Sequence, residues 1–397
     1  MKRVLIFSLA YVPYVGGAEI AVKEITDRID ADDYAFDMIT LRFDRNLPRV
    51  EKIGNITVHR IGFTANSPKV SDRALPWQCK LAKILFPFTS FFKALSLNST
   101  NRYDILWALM ANQAAFGALF FKYTHPRIPY FLELQDGNSL QQVQERRPIT
   151  KLLWPLYKQL YLKADIIKAI SHFIESLTRE IGYKGRVEVI PNGVNVEKFS
   201  APVDGDTLLD LKSKLDKRMG DVFLFTASRL VLSRGVEDVI RALPYLPLEV
   251  KFLIAGDGED RDKLVQIAKE SKVEGRVLFA GHVDHKDLPA YLKISDIFVR
   301  PSIIEGMGSA FIEAFAAGIP VVATPAGGIP DFLTDGETGI FCKVRDPQSV
   351  AQAVQKYLDN PSLAAQVVKN AKALVAEKYD WNSIAYRMQT SVLDAIS

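Results

Sequence analysis

The first residues in this chain whose types and spacing could do chemistry are two glutamates set around a glycine pair. In 300-RPSIIEGMGSAFIEAFAAGIPVVATPAGG-328, Glu305 stands just before Gly306-Met307-Gly308, and Glu313 follows eight positions later on a helical pattern. Glycines let the backbone turn sharply and approach a ligand closely. A helix opening at Ser309 presents unpaired N–H groups and a partial positive charge, which favours a phosphate or diphosphate. Glu305, in the loop, could reach sugar hydroxyls. Glu313, about one turn into the helix, could accept two hydrogen bonds from a ribose. The same spacing also fits a tight turn followed by a solvated helix residue.

A second stretch, 226-TASRLVLSRG-235, supplies cations. Arg229 ends a strand pattern and Arg234 lies five residues on, beside Gly235. Two guanidiniums in a loop after a strand can clamp a diphosphate and stabilise the charge that grows as it leaves. Taken alone they also read as ordinary surface arginines. In 12-VPYVGGAEIA-21, Gly16-Gly17 follows the first strand and opens a helix. That suits close approach to a phosphate or sugar, and equally a plain strand-to-helix turn. The spacing is not Gly-x-Gly-x-x-Gly, so the dinucleotide fingerprint is absent. Gly256-Asp257-Gly258 reads as a structural turn, and Pro191-Asn192-Gly193-Val194 as a turn or hinge. His282 and His285 have H-x-x-H spacing with no third ligand nearby, which argues against a metal site. No Gly-x-Ser-x-Gly, Walker loop or metal-holding Asp-x-Asp occurs.

The elements that must position these residues follow from apolar periodicity. The chain has 397 residues, 48% of them apolar and 24% charged, which is ample for two cored domains. In the first half, strand patterns at 3–9, 36–40, 56–61, 104–110, 128–134, 164–171 and 187–191 alternate with helical patterns at 18–29, 112–121, near 149–163 and near 173–181. Repeated strand–helix units build parallel sheets covered by helices. The turn-rich segment 191-PNGVNVEKFSAPVDGD-206 reads as the linker. A second series has strands at 222–228, 250–256, 276–281, 296–302, 320–324 and 339–343, and the chain ends in an amphipathic helix at 379–396 that begins near Asp380/Asn382. In such folds ligands sit beyond the carboxyl ends of the strands, where all three candidate loops fall.

Charge and cysteine content bound the setting. Residues 1–195 carry 26 Lys+Arg against 18 Asp+Glu, a net of +8; the remainder carries 24 against 28, a net of −4. Such asymmetry points to two domains with different partners, but not to which anion the basic half meets. Cys79 and Cys342 lie in different halves, so no disulfide framework or zinc spacing arises, and a reducing cytoplasm fits. The apolar start is too short and too soon broken for a signal peptide, and no run is long enough to span a membrane. The segment 77-WQCKLAKILFPFTSFFKALSLN-98 mixes aromatic, aliphatic and lysine residues. It could lie on an anionic membrane, face the domain core, or line an acceptor cleft.

In this order and spacing the motifs resemble one family, the retaining glycosyltransferases of family 4, also called glycosyl transferases group 1. The matching stretches are PYVGGAE near the start, AIS at 169–171, VIPNGV at 189–194, SRLVLSRG at 228–235, IAGDGED at 254–260, FAGHV at 279–283 and the 300–331 segment. The resemblance implies the GT-B fold: two doubly wound Rossmann-like α/β domains facing a cleft, with the C-terminal helix crossing back to the first. It implies an acceptor-binding domain at 1–195 plus 379–397 and a nucleotide-sugar domain at 196–378. On that reading Arg229 and Arg234 hold the diphosphate, Glu305 contacts the donor sugar, Gly306, Met307, Gly308 and Ser309 touch sugar and phosphates, and Glu313 binds the ribose. Gly16 and Gly17 then lie near the diphosphate across the cleft. The reaction retains anomeric configuration without a metal or other cofactor. The partners are a nucleotide-diphosphate sugar and a glycan or lipid-linked acceptor in envelope synthesis, with no nucleic acid, in the cytoplasm or on the inner face of the membrane.

Two departures stand out. The family more often has lysine where this chain has Arg234. Many members carry a histidine near the reacting sugar where this chain has Gln135-Asp136-Gly137. Glutamine can hydrogen-bond a sugar hydroxyl but cannot move a proton at neutral pH. Asp136 either takes that part or caps the following turn. The leaving phosphate can itself accept the acceptor's proton. The missing histidine also leaves room for a nucleotide-sugar epimerase, which would convert donor with no acceptor present. A non-catalytic binding partner is the third reading, against which the paired arginines and glutamates count.

Overall fold

The apolar runs pair into two separate sheets, and the order in which they pair locates the candidate site. The structure, a computed structural model, describes residues 1–68, 75–145 and 151–396. It divides into two units, Met1–Asn192 together with the C-terminal stretch from Trp381, and Gly193–Asp380.

The first unit holds β1 (Lys2–Phe7), β2 (Tyr34–Leu41), β3 (Val50–Ile53), β4 (Ile56–Ile61), β5 (Ile105–Leu109), β6 (Tyr130–Leu134), β7 (Ile166–Ala169) and β8 (Arg186–Val189), in the order β3-β4-β2-β1-β5-β6-β7-β8. Every pair is parallel except β3 with β4. β3 is an edge strand with exposed and half-buried residues in alternation, and its short, charged sequence gave no strand signal. Central strands such as β5 and β6 are buried at every position, as strands covered by helices on both faces must be. The chain runs outward from β1 to β2 and β4, then returns to the other side of β1 at β5. That reversal is a topological switch point.

Helix α1 (Gly17–Thr26) buries Ala18, Ala21, Val22 and Ile25, the three-and-four spacing that makes one apolar face. Helix α2 (Trp77–Asn101) packs on α3 (Gln113–Thr124) at Gly117, where a Cβ would stand 2.1 Å from Ser90 Oγ. Asn112 caps α3 by accepting from the Ala114 N–H. The helical pattern near 149–163 is met by a helix at Trp154–Leu162, while residues 149–150 lie outside the described residues.

The second unit has β9 (Val222–Ala227), β10 (Val250–Ala255), β11 (Val277–Gly281), β12 (Ile297–Arg300), β13 (Val321–Ala323) and β14 (Ile340–Phe341), in the order β11-β10-β9-β12-β13-β14, all parallel. Its switch point falls between β9 and β12. The loop after β9 carries Arg229 and Arg234. The loop after β12 carries Glu305 and leads into α4 (Ser309–Ala317). The segment read as an irregular linker contains a helix at Val196–Ser200 and the start of another at Gly205–Lys214. The turn-forming residues Asn195 and Asp204 are their N-caps, accepting from the N–H groups of Lys198 and Thr207.

The chain then returns to the first unit as α5 (Trp381–Met388), which continues through a π-helical turn at Gln389–Leu393. Trp381, Ile384, Met388, Val392 and Leu393 enter the core formed by β1, β2 and α1. Tyr34 donates to Asp394 at 2.6 Å, and Arg387 donates to the Val189 carbonyl at 2.8 Å. Cys79 and Cys342 are free and buried in different units, and burial raises both thiols, that of Cys342 to about 12. Trp381→Ala should cost about 3–5 kcal/mol in chemical denaturation of the first unit, through lost burial and the cavity left. Tyr386→Ala, at an exposed position of the same helix, should stay within about 0.5 kcal/mol.

Candidate functional site

In the second unit the loops after β9 and β12 are bound to each other at the switch point. Ile303 N–H donates to the Ser233 carbonyl at 2.9 Å. Gly235 sits at φ +70°, where a Cβ would lie 1.9 Å from the Pro301 carbonyl oxygen, so only glycine permits this approach. Gly256 and Gly258 press in the same way on Ser228 and Leu230, which makes that turn part of the support.

The charged centre is Glu305, which is 6% exposed. Its Oε2 accepts from Arg234 Nη1 at 2.7 Å, from Arg300 Nη2 at 3.0 Å and from Ser302 Oγ at 3.4 Å. Arg234 Nη1 also donates to the Ile304 carbonyl at 3.0 Å. Arg300, the last residue of β12, did not figure among the sequence candidates. Its signal was a single cation closing the apolar strand DIFVR. It donates to the Ala227 carbonyl at 3.1 Å and lies over the Phe311 ring at 4.1 Å from the centroid. Burial pushes its guanidinium down to about 10, partly opposed by Glu305, so it remains a cation at neutral pH.

The two glycine groups of the opening motif serve this centre. Gly308, at φ +89°, is the N-cap of α4, and a Cβ there would lie 2.6 Å from Arg300 Nη2. Gly327, at φ +58°, would place a Cβ 1.8 Å from the Glu305 carbonyl oxygen, and the Gly328 N–H donates to that oxygen at 3.1 Å. Both therefore hold the loop of Glu305. No side chain caps α4; the Phe311 N–H turns back to the Gly308 carbonyl at 3.0 Å, which leaves the N–H groups of Ser309 and Ala310 at the open end of the helix. Gly306 and Met307 are buried, leaving the half-buried Gly308–Ser309 end of the turn as the accessible part.

Arg229 is exposed, and among the described residues no carboxylate pairs with it. Glu313 faces a neighbour the sequence did not offer. Its Oε1 lies 2.9 Å from His285 Nε2, while His285 Nδ1 lies 3.1 Å from Lys198 Nζ. Lysine only donates, so Nδ1 is the accepting nitrogen and Nε2 the one that donates to Glu313. His285 thus orients Glu313 through a hydrogen bond.

In the first unit, Gly16 N-caps α1 and its N–H donates to Glu19 Oε2 at 2.7 Å. A Cβ on Gly17 would meet nothing within 4 Å. The fold does not require glycine at 17, unlike positions 235, 308 and 327. Gln135 is engaged at both ends of its amide. It donates to Glu133 Oε1 at 2.6 Å and accepts from Asn192 Nδ2 at 2.8 Å. Glu133 is fully buried and also receives Lys168 Nζ at 2.5 Å and Trp107 Nε1 at 2.9 Å. Glu133 and Lys168 stand opposite each other on β6 and β7. Their signal was one charge in each of two neighbouring apolar strands. Asp136 accepts from the N–H and the side-chain amide of Asn138, which is turn capping.

Among the glycines of the candidate motifs, the fold needs Gly235, Gly308 and Gly327 but not Gly17. Gly308→Ala should lower stability by about 1–3 kcal/mol in chemical denaturation. Gly17→Ala should stay within about 0.5 kcal/mol, so that any change it causes in ligand binding reports on the ligand's approach.

Residues 15–198 match the family model described as Glycosyltransferase Family 4, and residues 209–374 match that described as Glycosyl transferases group 1. An uncharacterized glycosyltransferase of Methanocaldococcus jannaschii is 26% identical over 94% of this chain and 92% of its own length. A GDP-mannose-dependent alpha-(1-6)-phosphatidylinositol monomannoside mannosyltransferase of Mycolicibacterium smegmatis is 29% identical over 57% of this chain and 61% of its own. The structure of sucrose-phosphate synthase from Thermosynechococcus elongatus matches with a TM-score of 0.81 at 22% identity, covering 100% of both chains. With one model on each half, two parallel α/β sheets and these relatives, the chain belongs to the glycosyltransferases of GT-B fold.

Proposed function

We propose that the protein is a retaining glycosyltransferase that moves a sugar from a nucleotide-diphosphate sugar to a hydroxyl of a glycan or lipid-linked acceptor in envelope synthesis. The observation that carries this reading is the convergence at one switch point of exposed Arg229, anchored Arg234 and the uncapped N-terminus of α4. Together they form a site for a dianion. In the proposal Arg229 and Arg234 bind the diphosphate, Glu305 offers its remaining oxygen to the donor sugar, and Glu313 accepts from the ribose hydroxyls. The first unit takes the acceptor.

The bond between the sugar's anomeric carbon and the diphosphate breaks with its electron pair going to the phosphate oxygen. The acceptor hydroxyl forms the new bond on the same face and gives its proton to that oxygen. Nothing in this sequence asks Gln135 to move a proton. Charge stabilisation by two guanidiniums takes the part a metal would otherwise play at the leaving group, so the reaction is proposed to need no metal.

Thermal denaturation with UDP-, GDP- and ADP-sugars in the presence of EDTA tests the site. One nucleotide class should raise the melting temperature, and Arg229→Ala should abolish most of the rise. With that donor and an accepted alcohol, the product should keep the donor's anomeric configuration by NMR. No stabilisation by any donor, or an inverted product, would count against the reading.

The exposed face of α2 supports peripheral attachment at the inner membrane face. Trp77, Leu81, Ile84, Leu85, Phe88 and Phe92 form one stripe, with Lys80 alongside, while Cys79, Ala82, Phe86 and Ala94 face the core. Among the described residues no helix is long and apolar enough to cross a membrane. The protein should float with vesicles containing anionic lipid, and Trp77→Ser with Phe92→Ser should reduce that at least several-fold. Equal recovery of wild type and variant would remove the membrane role.

A further inference from the structure

The first unit contains a cavity of about 680 Å³ that none of the proposed donor residues lines. Its place is set by topology. Leu9, Met110 and Leu134 bring to it the segments just beyond β1, β5 and β6, around the switch point. Most of its wall is apolar, with Ile84 and Phe88 from α2, Phe116 and Phe120 from α3, and Leu153 and Leu156. Asn112, Gln135, Asp136 and Asn138, in the loops after β5 and β6 or at the cap of α3, make one polar end, while Lys83, Gln113, Tyr157 and Tyr161 also line the cavity.

We infer that this cavity holds the aliphatic chain of a lipid acceptor, with the acceptor's polar head at the loops carrying Asn112 and Gln135-Asp136. The inference deepens the proposed function and rests on it. Its volume is in the range of small-molecule sites. A glycan chain would bury hydroxyls against Phe116, Phe120 and Leu156, which offer no partner, whereas an alkyl or prenyl chain loses nothing there. Ile84 and Phe88 belong both to the cavity lining and to the exposed stripe of α2, at 64% and 56% exposure, so apolar surface runs without a break from the helix face into the cavity. The polar end falls where a hydroxyl-bearing head would have to sit, beyond the strand ends. Gln135, tied to Glu133 and Asn192, is held rigidly at that boundary.

The test uses the full chain and a series of methyl, hexyl, octyl and decyl β-glucosides, each below its micelle-forming concentration, with affinity measured by calorimetry. Binding should tighten about threefold to fourfold per added methylene until the cavity is full. Leu156→Trp should flatten that dependence while the nucleotide-sugar-induced rise in melting temperature stays intact. Leu81→Ser, on the exposed stripe only, should leave the dependence unchanged. A wild-type series flat with chain length, in protein that still responds to its donor, overturns the inference and leaves the transferase reading standing. Dependence lost in Leu81→Ser and kept in Leu156→Trp puts the chains on the helix face and overturns the cavity. Absence of any donor response overturns the transferase reading, and the inference falls with it.

Discussion

The donor-side architecture depends on one buried carboxylate. Glu305 is almost excluded from water, and its Oε2 is shared by two guanidiniums, one from the loop after β9 and one from the end of β12. A lone carboxylate at that depth would be strongly disfavoured, and leaving a buried charge unpaired typically costs about 3–5 kcal/mol. The loop after β9 and the loop after β12 are therefore tied by electrostatics as well as by backbone contacts. Gly235, Gly308 and Gly327 belong to the same constraint, because a Cβ at any of them would collide with the backbone or guanidinium that forms it. The glycine-rich character of the motif is then chiefly a packing requirement of the charged centre. The partly exposed portion of the motif is the end of the turn and the first residues of α4.

How far the sequence could be read follows from where each signal lies. The strands were legible because buried parallel strands are continuous apolar runs, and the residues proposed for the donor lie in the loops after them or on the helices those loops open. Strand β3 was not legible, since an exposed edge strand has no apolar face to reveal it. Arg300 and the Glu133–Lys168 pair were missed for the opposite reason. Each is one charged residue in an otherwise apolar strand, and only the register of neighbouring strands shows that Glu133 and Lys168 face each other. His285 was judged by its spacing to His282, whereas its partner, Glu313, lies 28 residues on and meets it only through the fold.

The first unit contains its own buried polar network, and it bears on position 135. Gln135 is held between the Glu133 carboxylate and the Asn192 amide, so neither end of its amide turns freely. A histidine there would have to compete for the same Glu133 oxygen that Lys168 already occupies at 2.5 Å. Such networks are stable when every member is satisfied and costly when one is removed. The residue at 135 is thus held at the edge of the cavity, and Asp136 beside it accepts two hydrogen bonds within its own turn.

In the proposed diphosphate clamp, arginine at 234 has a geometric advantage over lysine. Nη1 of Arg234 serves the protein twice, donating to Glu305 and to the Ile304 carbonyl. Among the described residues no protein group takes Nη2 or Nε. A guanidinium spreads five donors over a rigid plane, so one edge can anchor while the other faces outward. A lysine has one nitrogen, and each hydrogen bond it gave to Glu305 would come from the same atom that must reach a phosphate. With Glu305 already shared with Arg300, the fork fixes the distance between the buried carboxylate and any anion bound beside it. In the proposed clamp the arginine would therefore set the spacing between the buried charge pair and the ligand, which a flexible ammonium would do less rigidly.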